Sequence, residues 1–223
     1  MKRITIFAGH YGSGKTNIAV NYAIELKKHL ENVVIADLDI VNPYFRTKDS
    51  EEKLASLGIK LISSPFANSN VDTPALSPET YSIIDDKSIY GIIDVGGDDR
   101  GALALGRYSS AIAKEDDYEM LFVINAFRPL TRTPEDAVEV MREIEDAAKI
   151  KFTGIVNNSN LGDETTPEMV LESMDYAEKV SGLTGLKIYM TTAKTDVAEK
   201  LGNKIQNIMP LKLYVRQTWN KEE

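Results

Sequence analysis

The sequence predicts an α/β protein: a doubly wound, mostly parallel sheet flanked by helices. Two observations carry that expectation. Short, β-branched, apolar runs alternate with segments of helical periodicity, and no repeat or low-complexity stretch interrupts them. Such alternation builds parallel sheets, because a strand, a crossover helix and a second parallel strand pack with one preferred hand. The residues that carry chemistry fall at the C-terminal ends of the strand candidates, where open sheets of this class bind ligands.

Strands are expected at 3–8, 33–37, 59–63, 90–95, 119–125, 152–157 and 186–190, with an edge strand at 211–215. Arg3-Ile4-Thr5-Ile6-Phe7-Ala8 is short, β-branched and apolar, as a strand buried on both faces requires. Helices are expected at 16–30, 48–57, 77–86, 101–114, 134–149, 167–181 and 195–207. In the first, Ile18, Ala19, Tyr22, Ala23, Leu26 and Leu30 recur at helical spacing, and Lys27, Lys28 and His29 suit its C-terminal end. Leu211, Leu213 and Val215 alternate with Lys212, Tyr214 and Arg216, a strand pattern and not a membrane-lying helix.

At 223 residues the chain suits one domain, 1–223, with a substantial core. No apolar run approaches the ~18 residues of a membrane span, and Met1-Lys2-Arg3 leads into a strand, not a signal segment. With no cysteine, disulfides, zinc–thiolate sites and an iron–sulfur cluster are excluded together. A cytoplasmic protein is the expectation. A net charge of −8 works against non-specific nucleic-acid binding.

Gly9-His10-Tyr11-Gly12-Ser13-Gly14-Lys15-Thr16 fits G-x-x-x-x-G-K-[ST] at every fixed position, between a strand and a helix. In that setting the loop amides close around phosphate oxygens, and the helix dipole favours the anion. Lys15 would reach the β- and γ-phosphates and the Thr16 hydroxyl would bind Mg²⁺, with Asn17 adjoining. The motif implies a P-loop NTPase fold and a bound nucleoside triphosphate; the alternative is an ordinary Gly-rich strand-to-helix turn.

The second strand ends in Asp37-Leu38-Asp39, two carboxylates two residues apart that point the same way. One division of labour sets Asp37 near the Mg²⁺ shell and lets Asp39 orient the attacking water; a polar strand exit is the alternative. Pro43, Tyr44 and Phe45 would shape a loop responsive to the γ-phosphate, and Arg46 faces either phosphate or solvent. Ser63–Pro78 is rich in Ser, Asn and Pro, and reads as a lid, a docking surface or a plain crossover.

The fourth strand closes on Asp94-Val95-Gly96-Gly97. An apolar run closed by Asp has the form of a Walker B strand, whose carboxylate holds Mg²⁺ through water. Gly97 fits D-x-x-G, where a backbone N–H approaches the γ-phosphate. Asp98 and Asp99 are expected to cap the next helix, and Arg100 to face a phosphate or a partner. The sixth strand ends in Asn157-Asn158-Ser159-Asn160, where asparagine suits a purine edge. A guanine reader would need Asp at 160, so ATP is expected. Thr195 and Asp196 read as helix caps.

Together Gly9–Thr16, Asp37-Leu38-Asp39, Asp94-Val95-Gly96-Gly97 and Asn157 resemble the MinD/ParA/CobQ-type ATPases of the P-loop class, over about residues 3 to 208. That family carries a signature lysine five residues before the P-loop lysine; here the position is His10, followed by Tyr11. By resemblance, Lys15 and Thr16 carry phosphate and Mg²⁺, Asp39 positions water, Asp94 supports Mg²⁺ and Asn157 contacts adenine. A protonated His10 could do part of the missing lysine's work; a neutral one would bond within the loop.

The resemblance implies an ATP-hydrolysing switch that acts on a protein partner, often as a nucleotide-dependent homodimer. The membrane-targeting tail of MinD-like proteins is not evident. Two other readings stay open: a small-molecule kinase or ATP-dependent ligase on the same scaffold, and a nucleotide-binding interaction module with negligible hydrolysis.

Overall fold

The computed structural model describes residues 1–39, 50–63, 79–97 and 99–214, with the backbone alone at Asp99. Within them run eight strands: β1 (Ile4–Ala8), β2 (Val33–Leu38), β3 (Lys60–Ser63), β4 (Tyr90–Val95), β5 (Tyr118–Ile124), β6 (Gly154–Asn157), β7 (Ile188–Lys194) and β8 (Ile208–Leu211). The helices are α1 (Lys15–Lys27), α2 (Glu51–Ser56), α3 (Glu79–Asp85), α4 (Asp99–Gly106), α5 (Ser109–Glu115), α6 (Pro134–Ala148), α7 (Pro167–Thr184) and α8 (Thr195–Leu201). The strands form one sheet in the order β3-β2-β4-β1-β5-β6-β7-β8, and each of these pairings is parallel. Pro43, Tyr44, Phe45, Arg46, residues 64–78, Asp98 and Val215 lie outside the described residues.

β1 and β2 are buried at every position, so their side chains feed two cores in alternation. Ile4, Ile6, Ala8, Ala36 and Phe122 join the core built with α3 to α7, whereas Phe7, Ile35, Ile92 and Leu121 pack with Ile18, Ala19, Ala23 and Leu54 of α1 and α2. Full burial of each Ile or Leu is worth about 1.5–3 kcal/mol, which explains why the strands are continuous apolar runs. From β1 the chain crosses to β2 on one side, and from β5 it crosses to β6 on the other. The crevice where the winding reverses therefore lies between β1 and β5, and the Gly9–Thr16 loop opens there.

Local signals set the starts of α6 and α7. Thr133 and Asp136 form a reciprocal capping box ahead of α6, and the Thr166 hydroxyl accepts from Met169 N at the start of α7, each followed by a proline at the first helical position. Gly185, at φ 74°, closes α7.

Four elements depart from expectation. The helix expected over 101–114 is two, because Gly106 passes so close to α6 that a Cβ there would lie 2.9 Å from Ala147 O, and the next turn drives Tyr108 wholly into the core. β7 runs on to Lys194: Thr191 and Thr192 are buried and bonded, to Met174 Sδ and Asn158 Oδ1, so their polarity does not end the strand. α8 stops at Leu201, before Gly202. The edge strand is Ile208–Leu211 and contains Pro210, which an edge position tolerates.

At the opposite end of the sheet, the Glu119 carboxylate accepts from Thr5 Oγ1 at 3.0 Å, Tyr189 OH at 3.3 Å and Tyr22 OH at 3.4 Å. Burial, reinforced by Tyr189 and the Glu119 charge, holds the Tyr22 hydroxyl well above its ordinary pKa. Arg3 donates to the carbonyls of Ile83, Ile84, Asp86 and Ile89 and pairs with Glu115, so one buried guanidinium satisfies the end of α3.

Candidate functional site

Gly9 leaves β1 where a Cβ would lie 2.4 Å from Val123 O on β5, so only glycine turns the chain across that strand. Ser13 N donates to His10 O at 3.2 Å, and Gly14, at φ 91°, is the N-cap of α1. This helix start differs from those of α6 and α7. No side chain caps it, its first turn holds no acidic residue, and its first helical residue is Lys15. A lysine there opposes the helix dipole, and the first-turn amides lack partners within the helix, so the end is built for an anion. Lys15 is only 6% exposed and its Nζ donates to His10 O at 3.2 Å across the loop. The Ser13 hydroxyl is buried without a hydrogen-bond partner among the described residues. His10 Nδ1 donates to Tyr11 O at 2.9 Å on the exposed side, while Tyr11 itself is 51% exposed.

Asp37 and Asp94 are register partners on adjacent strands, and Asp94 is in turn opposite Phe7. Phe7 belongs to the core beneath α1, so both carboxylates leave the sheet on the face whose helix begins at Lys15 and Thr16. Both are almost fully buried. Asp37 Oδ1 accepts from Asp39 N at 2.9 Å, a tight turn that carries Asp39 back over the end of β4. A Cβ on Gly96 would lie 3.2 Å from Asp39 Oδ1. At Gly97 a Cβ would lie 2.6 Å from Tyr11 N and 2.9 Å from Lys15 Nζ. The structure thus brings Gly97 against the loop of Tyr11 and Lys15, and Asp39 beside Gly96.

Among the described residues no group of three or more His, Asp and Glu side chains could hold a metal by itself. Mg²⁺ needs none: it takes one or two carboxylates and completes its shell with phosphate and water. Thr16, Asp37 and Asp94 suit that chemistry, with Asp37 already giving one oxygen to Asp39 N.

Three expected ligands have protein partners in this structure. Asn157 is 0% exposed: its Nδ2 donates to Ser173 Oγ at 2.9 Å and its Oδ1 accepts from Ser159 Oγ at 2.7 Å. It braces β6 against α7. Asn158 donates to Ser13 O at 2.6 Å and accepts from Thr192 Oγ1 at 2.7 Å, so it holds the loop. The side chain of Asn17 accepts from Tyr214 N at 3.0 Å, and the neighbouring Asn21 exchanges two bonds with Lys212, which docks the segment after β8 onto α1. Asn160 closes a turn, accepting from Gly162 N and donating to Asn158 O. Beyond it Lys194 and Asp163 pair at 2.7 Å, which raises the lysine pKa and lowers that of the carboxyl and links the ends of β6 and β7.

Sequence reasoning missed Asn125 and Arg128. Asn125, fully buried after β5, accepts from Phe127 N and Asn160 N and shapes a tight turn. Arg128 on that turn donates through Nε to Gly12 O at 2.9 Å. A lone arginine before a proline carries no local signal; only the adjacency of β1 and β5 makes it part of the site.

Two structures of FtsY from Mycoplasma mycoides share this architecture, at 16% and 18% identity and TM-score 0.54, over 86% and 85% of this chain. FtsY, the signal recognition particle receptor, from Elizabethkingia anophelis in complex with GDP, matches at 14% identity and TM-score 0.50. The chain has the P-loop NTPase fold. It spans 61%, 59% and 57% of the length of those three structures, so the likeness is one of fold. No family model matches the chain, and no curated protein does. Within that fold the Gly9–Thr16 loop, Asp94 and Gly97 occupy one end of the sheet, at its switch point. No helix among the described residues is long and apolar enough to cross a membrane.

Proposed function

We propose that this chain is a nucleotide-hydrolysing switch of the MinD/ParA-like kind, which binds ATP with Mg²⁺ and acts on a protein partner. The observation that carries the reading is the start of α1: uncapped, without acidic residues, and led by a buried lysine beside a buried hydroxyl without a partner. Each of these destabilises the free protein slightly, and an anionic polyphosphate relieves all of them.

In this reading Lys15 and the first-turn amides hold the phosphates, while Thr16 and Asp94 hold Mg²⁺, with Asp37 beside Asp94. Bound Mg²⁺ would neutralise charge that develops on the phosphates. Asp39, turned over the end of β4 by its bond to Asp37, is the group placed to orient water. Gly97, packed on Tyr11 and Lys15, would sense the γ-phosphate and pass its presence to α4. Exposed Tyr11, Leu130 and Leu161, on the loops after β1, β5 and β6, favour a partner at this end of the sheet.

The test is Lys15→Ala. The variant should keep its fold and lose tight ATP binding in calorimetry. Retained micromolar affinity would remove the phosphate-loop assignment.

A further inference from the structure

We propose that Arg128 is a second cationic ligand of the nucleotide, supplied by the turn after β5 to the phosphate chain held by the Gly9–Thr16 loop. The inference rests on the reading above.

The guanidinium is tied to the loop at one edge only. Nε donates to Gly12 O at 2.9 Å, and a Cβ on Gly12 would lie 3.3 Å from Nε and 3.7 Å from Nη2. Gly12 is at φ 74°, where a side chain would be strained as well as crowded. The loop therefore leaves room for the planar guanidinium to lie against its backbone. Among the described residues Arg128 makes no ion pair, and its Nη1 and Nη2 make no hydrogen bond.

The backbone that delivers Arg128 is firmly held. Arg128 N donates to Asn125 O and Thr131 N donates to Arg128 O, both at 3.1 Å. The Thr131 hydroxyl, itself buried, donates to Asn125 O at 2.9 Å, and Asn125 is fixed to Asn160 through both ends of its amide. A buried polar network that serves only a surface arginine would be poor use of a core. One that fixes a guanidinium beside a phosphate loop preorganises a ligand.

The chemistry suits the geometry. Arginine presents several donors in a planar fork, so one edge can brace a carbonyl while the other takes phosphate oxygens. Position 10, at the start of the loop, holds a histidine turned to Tyr11 O. Arg128 supplies the cation from the other side of the crevice.

The experiment measures binding of Mg·ATP and Mg·ADP by calorimetry, and turnover, for the wild type, Arg128→Ala and Arg128→Lys, with thermal melts of the unliganded proteins. Arg128→Ala should lose tenfold or more in ATP affinity, with a melt close to wild type. Arg128→Lys should recover part of that affinity, because the charge persists without the fork. Wild-type affinity and turnover in Arg128→Ala overturns the inference, and leaves the phosphate loop intact. Equal losses in both variants, together with a lowered melting temperature, also overturns it and makes Arg128 a brace of Gly12. If the wild type binds neither nucleotide, the nucleotide reading itself fails.

Discussion

The side-chain amide of Asn158 donates to the carbonyl of Ser13 at 2.6 Å, joining the end of β6 to a loop 145 residues earlier. The same side chain accepts from Thr192 Oγ1 at 2.7 Å, so β6, β7 and the phosphate loop share one buried latch. Gly14 is shaped by it: a Cβ there would lie 2.2 Å from Asn158 Nδ2, at a backbone φ of 91°.

Asn158→Ala should therefore act on the loop and not on the base. It strands the Ser13 carbonyl and the Thr192 hydroxyl, at a cost of about 1–3 kcal/mol for each group left unsatisfied. Urea unfolding should show that loss, and affinity for ATP and GTP should fall by the same factor. A loss confined to one nucleotide would mean that the amide reads a base.

Gly97→Ala tests the contact between β4 and the loop. The added methyl would meet backbone at Tyr11 2.6 Å away, so the loop or the start of α4 must shift. Because the atoms met are backbone, that shift also costs stability, which urea unfolding should show. Turnover should drop by tenfold or more, measured by phosphate release at saturating nucleotide. An unchanged rate would detach Gly97 from the active loop.

The parts of this molecule that were legible in the sequence are those whose signal is contiguous. Buried parallel strands must be unbroken apolar runs, and the phosphate loop needs its glycines and lysine within eight residues, so β1 to β5 and Gly9–Thr16 could be read directly. Strand-end position told where Asn157 and Asn158 sit but not which way their amides turn, which depends on Ser173, Ser13 and Thr192 from distant segments. Arg128 was invisible for the same reason. The strand was expected to end at 190 because the hydroxyl partners of the buried Thr191 and Thr192 lie on other elements.

Asp39→Ala and Asp37→Asn should separate water positioning from support. Asp39→Ala should keep ATP·Mg²⁺ affinity and slow turnover by ~10²-fold or more, the usual worth of a positioned acid–base group. Asp37→Asn keeps an oxygen for Asp39 N but gives up the charge beside Asp94, so it should raise the Mg²⁺ concentration needed for half-maximal rate. If Asp39→Ala loses ATP affinity while its rate per bound nucleotide is unchanged, Asp39 belongs to the metal shell.

Tyr22 carries a pH signature. Burial, Tyr189 and Glu119 hold its hydroxyl pKa above the unfolded value of about 10. The folded state therefore keeps a proton that the unfolded chain gives up, and the stability this contributes is full below pH ~10 and lost as pH rises above it. Tyr22→Phe should flatten the decline in unfolding free energy above pH ~10, by up to about 1.4 kcal/mol per pH unit. Identical slopes in the two proteins would place Tyr22 ionisation outside the folded-state balance.

Base choice is the sharpest test of ATP over GTP. Guanine offers a ring N–H and an amino group on one edge, and a carboxylate accepts both. Asn160, at the place where a guanine reader needs that carboxylate, has one acceptor oxygen, already engaged by Gly162 N, and an amide donor bound to Asn158 O. The buried amides of Asn157 and Asn158 are committed elsewhere, so they cannot substitute. In the proposed reading, GTP would leave its donors unpaired at Asn160, and sites built on such pairing discriminate by several kcal/mol. Competition against a fluorescent ATP analogue should show ATP displacing the probe at well below the GTP concentration. Asn160→Asp should narrow that gap, because the carboxylate can still accept from Gly162 N while turning its second oxygen to guanine. Equal displacement by both nucleotides in the wild type, or no movement of the ratio in Asn160→Asp, would take Asn160 out of base recognition.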